Sequence, residues 1–345
     1  ICDWAEERTR SRSGRVALVI LVYGLILAAA LFPLALYQDY FREHAYGLSS
    51  QSLVAWLGDY GIACVVGLAV ALVVGSIIYA VIRRAPHGWW LWAAGIIIAF
   101  QVVTAMVYPV FVAPLFNHYA PMPDGQLKQD ILGLAHANGV PAANVFVFDA
   151  SRRSSRMSAH VSGFLGTIRI ALDDNLLAHA SHDEIMAVMG PEIAHYVLGR
   201  TTKLLIQLGL VTILGFAFLH WAFLLLTDFF GGNWDMRSIE DPAGLPLLVA
   251  LAAVFLLLAM PLTNTIRRTA EVQADLFGVN AVRKPDAFAT MALKRSAYRK
   301  LDPGPLEELL FYDQPSGRSR IWEMMRWKAG HLKDPDIMNG PASPQ

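Results

Sequence analysis

Five stretches of this chain, roughly 16–37, 61–82, 89–112, 204–226 and 245–266, are long and apolar enough to need a non-aqueous surrounding on every side. A helix that crosses the hydrocarbon core of a bilayer takes about 20 mostly apolar residues, whereas a surface helix of a soluble protein keeps a polar face. Composition agrees. Of the 345 residues 16% are charged and 55% hydrophobic, against roughly 25% charged in soluble domains, and the mean hydropathy is +0.42. The pattern predicts a polytopic α-helical membrane protein. Trp89, Trp90 and Trp92 open the third stretch and read as an aromatic belt at an interface. The first stretch follows Arg8, Arg10, Arg12 and Arg15 but exceeds the apolar run of a signal peptide, about 7 to 15 residues, so it reads as a span.

Several classes are excluded early. The formal net charge is zero and no long basic run exists, which removes nucleic acid as a partner. Cys2 and Cys64 are the only cysteines, too few for a disulfide framework or a zinc ribbon. No span carries the buried charge pair or the internal repeat that would mark a transporter or channel.

The apolar stretches divide the chain into a membrane region with three spans (1–116), a polar region (117–203), a pair of spans (204–266) and a second polar region (267–345). The two polar regions must meet in space to build one site. In the first, Leu127, Ile131, Leu134 and Ala135 have helical spacing, and Gly139-Val140-Pro141 ends that helix. Val145–Phe148 is a short apolar run that reads as a buried strand. Thr167–Leu172 alternates and halts at Asp173-Asp174-Asn175, so a small sheet beside helices is expected. The fold class is therefore mainly α, with a small α+β region.

The segment Pro191-Glu192-Ile193-Ala194-His195 is the pattern H-E-x-x-H with its first histidine replaced. The full pattern puts two imidazoles on one helix face to grip zinc, and its glutamate takes the proton of the attacking water. Here Glu192 and His195 remain, and Pro191 has no donor atom. Ser181 with Glu184 forms a capping box at the start of this helix, and Gly199 is its expected stop. A proline in mid-helix lacks the N–H, crowds the carbonyl of Ala187, and costs about 3 kcal/mol, so a kink is expected. His182 cannot replace the lost ligand, because at about 100° per residue it lies on the opposite side from position 191. Downstream, Glu271 and Asp275 are four residues apart and share a helix face.

Taken together and in order, Tyr46–Ser49, Ala113–Asn117, Asp149–Gly163, the P-E-x-x-H helix, Glu271–Gly278 and Asp313–Ile321 resemble the integral-membrane CAAX prenyl protease family of zinc metalloendopeptidases. The resemblance implies a zincin-like catalytic region, with zinc ligands at position 191, His195 and Glu271. Glu192 would be the general base and Asp275 would orient a ligand from behind. It also places Arg320 against substrate. The family's S-S-H-S-N-A-Y stands as Ser154–His160, so Arg156 replaces a histidine and Ser158 an asparagine that holds the peptide, with His160 on the same segment. Gln314 replaces a histidine that helps stabilise the oxyanion. Family members typically have seven spans, so with Ile1 as the first residue two further spans are expected upstream.

The cofactor implied is Zn2+ with only two protein ligands left, and the partners implied are a prenylated or similar peptide and membrane lipid. The resemblance also sets the catalytic region in the cytosol. Positive-inside counting would set Arg8–Arg15 there instead; the family placement is preferred, because the 228–244 loop carries Asp228, Asp235, Glu240 and Asp241 against only Arg237. Two readings follow. One is a membrane-embedded CAAX-type endopeptidase with impaired hydrolysis; the other is an inactive homologue that binds peptides or partners.

Overall fold

The computed structural model describes residues 1–107, 111–162, 168–234, 238–296 and 300–338. Gly163, Thr167, Asp235, Arg237 and positions 108–110 of the third stretch, all used in the sequence reading, lie outside the described residues. In chain order the helices are α1 (Cys2–Arg8), α2 (Arg12–Ala35), α3 (Arg42–Ala45), α4 (Leu53–Arg84), α5 (Trp89–Val107), α6 (Gln126–Ala137) and α7 (Asp174–His179). They continue with α8 (His182–Val197), α9 (Arg200–Trp234), α10 (Leu245–Val282), α11 (Pro285–Ser296), α12 (Pro305–Phe311), α13 (Gly317–Gly330) and α14 (Pro335–Met338). The strands are β1 (Tyr119–Pro121), β2 (Val145–Phe148), β3 (Ala159–Ser162) and β4 (Arg169–Asp173).

All five expected spans are helices long and apolar enough to cross a membrane: Arg12–Ala45, Leu53–Arg84, Trp89–Val107, Arg200–Gly231 and Pro242–Val282. Their surfaces support that reading. Leu25, Val65, Val73, Leu214 and Leu257 are exposed, and such apolar rows are stable only where lipid covers them. The fifth helix runs further than the sequence suggested, because residues 267–270, Arg-Arg-Thr-Ala, contain no breaker. Glu271 and Asp275 therefore belong to α10 itself rather than to a separate helix after it.

The chain forms two compact units. The first comprises 1–47, 51–104 and 205–260 and is built from spans. Its core holds Val16, Ile20, Tyr79, Ile82, Trp89 and Phe223. One expectation is corrected here. Trp89 is 1% exposed and is a core residue rather than part of a belt. Its indole N–H donates to Nδ1 of His220 at 3.0 Å, which satisfies the polar tip of a buried ring. Trp92, 66% exposed, keeps the interfacial character.

The second unit, 48–50, 105–204 and 261–345, carries the sheet. Strand order is β1-β2-β4-β3, with β2 and β4 parallel and the outer pairs antiparallel. Strand β2 falls where the apolar run placed it. Strands β1 and β3, Tyr-Ala-Pro and Ala-His-Val-Ser, lack the continuous apolar run that marks β2 and give no sequence signal. Ile131, Val145, Ile170, Leu172, Leu176, Ile185, Met189 and Ile193 form a dry core between sheet, α6 and α8.

Candidate active site

Helix α8 is one uninterrupted element from His182 to Val197 despite Pro191. The Ser181–Glu184 capping box is present in both directions and fixes its start. Each side of α8 has its own partner. Ile185, Val188, Met189 and Ile193 face the sheet core. Gly190 and Pro191 face α10 at such close range that a Cβ built on Gly278 would lie 2.6 Å from Cδ of Pro191. What remains is the side bearing Glu192 and His195, and it opens on a chamber of about 230 Å3.

Helix α10 supplies Glu271 and Asp275, 5% and 4% exposed, at the i and i+4 positions expected. Helix α13 supplies Arg320, whose Nε lies 2.8 Å from Oδ2 of Asp275 and whose Nη2 donates to Oε2 of Glu271 at 3.1 Å. The decisive contacts come from Arg200. Gly199 adopts φ +62°, a left-handed turn that glycine makes without strain, and so ends α8 and starts α9 one residue later. The Arg200 side chain then reaches back into the chamber. Its Nη1 donates to Nε2 of His195 at 2.7 Å, and its Nη2 lies 2.6 Å from Oε1 of Glu271. Arg295 of α11 also lines the chamber, so three carboxyl groups (Glu192, Glu271, Asp275) share it with three guanidiniums.

These surroundings shift the groups of α8. Burial, reinforced by the negative charge of Glu271, pushes the carboxyl of Glu192 up to about 7 against the opposing pull of Arg295, Arg200 and Arg320. Burial and the cations of Arg200 and Arg320 push His195 down to about 4, with Glu271 opposing. Burial likewise lowers Arg295 below the usual guanidinium range. His195 is therefore a neutral imidazole whose Nε2 lone pair accepts from Arg200.

Do these residues fit zinc? Nε2 of His195 and Oε2 of Glu271 are 3.7 Å apart, near the separation of about 3.3 Å that tetrahedral zinc imposes on two ligands held at ~2.0 Å. The scaffold of a metal site is therefore intact. The donors are not. Position 191 contributes no donor atom, Nε2 of His195 is engaged by Arg200, and the two oxygens of Glu271 are engaged by Arg200 (Oε1) and Arg320 (Oε2). Nδ1 of His195 is buried without a hydrogen-bond partner, whereas metal-bound imidazoles donate that N–H to a carboxylate or carbonyl. Among the described residues no cluster of three His, Cys, Asp or Glu side chains could hold a metal ion. The residues present do not fit zinc.

Other candidate residues divide. Gln314 and Ala159 line the chamber. Ser158 does not, because its N–H and hydroxyl both bond Asp173, the N-cap of α7. His160 alternates with Ala159 on β3 and is not among the residues lining the chamber; its ring lies tilted against that of Phe148, centroids 5.4 Å apart. His182 pairs with Asp130 at 2.9 Å. A larger cavity of about 290 Å3 lies beside α11 and α14, but its charges are satisfied: Arg283 by Asp334 and Asp336, Lys284 by Asp183, Lys328 by Asp286. Arg200 and Arg295 are the site residues that motif reading missed. The only signal for Arg200 was a cation just past the helix stop.

The family model for M48 peptidases matches residues 121–328, and the one for the N-terminal membrane region of CAAX prenyl proteases matches residues 1–118. The chain belongs to peptidase family M48. Among its M48 relatives, an uncharacterised metalloprotease of Bacillus subtilis is 26% identical over 325 residues, covering 93% of this chain and 76% of the relative. A CAAX prenyl protease 1 homologue of Arabidopsis thaliana is 30% identical over 304 residues, covering 82% and 67%. The crystal structure of S. mikatae Ste24p matches with a TM-score of 0.79 at 23% identity, over 90% of this chain and 76% of that one, and shows that the fold is shared. The M48 assignment makes this an integral, multi-pass membrane protein of a zinc-dependent peptidase lineage.

Proposed function

We propose that this M48 protein receives prenylated or similar C-terminal peptides in the chamber beside α8 and performs little or no hydrolysis on them. One observation carries the reading: the two ligand side chains that survive, His195 and Glu271, are both bonded to Arg200. Peptide binding is supported by the edge position of β3, whose outer side pairs with no strand among the described residues and suits addition of an extended peptide, and by Ala159 of that strand in the chamber wall. Replacement of histidines at 156 and 314 supports loss of turnover. The acidic excess in the sequence from 228 to 244 supports a cytosolic place for the second unit.

A second reading, a weakly active zinc endopeptidase, is favoured by Glu192, which keeps the place and the raised basicity of a general base. The purified full chain, offered a fluorescent farnesylated peptide with and without added zinc, separates the two. The expected result is saturable binding with no cleavage under either condition. Zinc-dependent cleavage at any measurable rate that is abolished in Glu192→Gln would overturn the first reading in favour of the second.

A further inference from the structure

We infer that the guanidinium of Arg200 is a built-in replacement for the metal cation, and that it excludes divalent ions from this chamber even when a third ligand is supplied. The inference rests on the proposed loss of metal chemistry, but it assigns the cause to a residue that no motif includes.

Arg200 uses two separate N–H groups on the two side chains that a metal would need. Nη1 takes the Nε2 lone pair of His195 at 2.7 Å, and Nη2 takes Oε1 of Glu271 at 2.6 Å. A guanidinium is planar, permanently charged and forked, so one side chain can bridge two acceptors as a bound ion would. The second oxygen of Glu271 is held by Arg320 at 3.1 Å, so each oxygen of this carboxylate has a guanidinium partner. The delivery is local. Left-handed Gly199 separates α8 from α9 by a single corner, and Arg200 is the first residue of α9.

Charge closes the case. Glu192, Glu271 and Asp275 face Arg200, Arg295 and Arg320 in the same chamber, so the acidic groups are balanced by side chains and require no ion. For a divalent cation to enter, Arg200 must leave both His195 and Glu271, and breaking a largely buried pair in this way is strongly unfavourable. Adding an imidazole at position 191 supplies a donor and leaves the guanidinium where it is.

The test is the zinc affinity of the full chain in detergent, read by competition with a chromophoric chelator, for Pro191→His alone and combined with Arg200→Lys or Arg200→Gln. Affinity is expected to rise in the order Arg, Lys, Gln at position 200, with Pro191→His/Arg200→Gln at least about 100-fold tighter than Pro191→His. Lysine keeps the charge and loses the fork, so its intermediate place reports the bridging geometry, and either double variant decides the matter if the other fails to fold. Equal affinity in Pro191→His and a double variant would overturn the inference. That result would leave the functional reading intact, which falls if the unmodified chain cleaves the peptide or fails to bind it.

Discussion

Three residues apart on α8, a carboxyl and an imidazole face the same poorly hydrated wall, and burial acts on them in opposite senses. Glu192 rises from 4.5 to about 7, so the folded chain holds this proton more tightly than the unfolded one. Its contribution is complete below pH about 4.5 and is lost as pH rises through 7, to the extent of about 3 kcal/mol. His195 falls from 6.5 to about 4. Its neutral form costs nothing above pH about 6.5, and stability is lost as the pH falls from there toward 4. Between roughly pH 4.5 and 6.5 the two slopes cancel. Glu192→Gln removes only the first, so the variant should be more stable than the parent by about 3 kcal/mol at pH 8 and by under about 1 kcal/mol at pH 5. Thermal midpoints of both chains across pH 5–8 check this, and coincident curves at pH 8 would mean that Glu192 ionises freely where it stands.

At the scale of elements, the site depends on the close crossing of α8 and α10, which sets His195 and Glu271 3.7 Å apart. A methyl on Gly278 would stand 2.6 Å from both Cδ and N of Pro191, a clash with ring and backbone that no rotamer relieves. Gly278→Ala should therefore lower stability by about 1 to 3 kcal/mol, read as a drop in thermal midpoint, and an unchanged midpoint would show that the two helices part without cost. Much of this architecture was legible. The spans declared themselves by length and hydropathy, β2 by its Val-Phe-Val-Phe run, and α8 by its capping box and Gly199. The rest was hidden for physical reasons. Strands β1 and β3 are held by their neighbours rather than by any pattern of their own. Helix α10 passes from apolar to charged sequence without a breaker, so its end cannot be read from hydropathy. Arg200 lies beyond the stop of the motif helix and acts across a corner that only Gly199's backbone angle creates, so counting ligand slots found the vacancy at Pro191 and missed the cation.

For the whole molecule, the question is whether folding and metal are linked. Any ligand bound by the folded chain alone adds RT ln(1 + [L]/Kd) to its stability, about 2.7 kcal/mol at 100 times Kd. A resident zinc would therefore announce itself on removal. For domains of roughly 150 to 250 residues 1 kcal/mol moves the thermal midpoint by about 2 to 4 °C and for a longer chain by less, so stripping such an ion should cost about 4 °C. In this protein Glu271 and Asp275 already have guanidinium partners, and the lone pairs of His195 Nε2 and Glu271 Oε1 are already taken. Neither EDTA, 1,10-phenanthroline nor added zinc should move the midpoint of the purified chain by more than the error of the measurement. A chelator-induced fall of about 4 °C that zinc restores would place an ion among these residues after all, and with it the chemistry that the Arg200 guanidinium displaces.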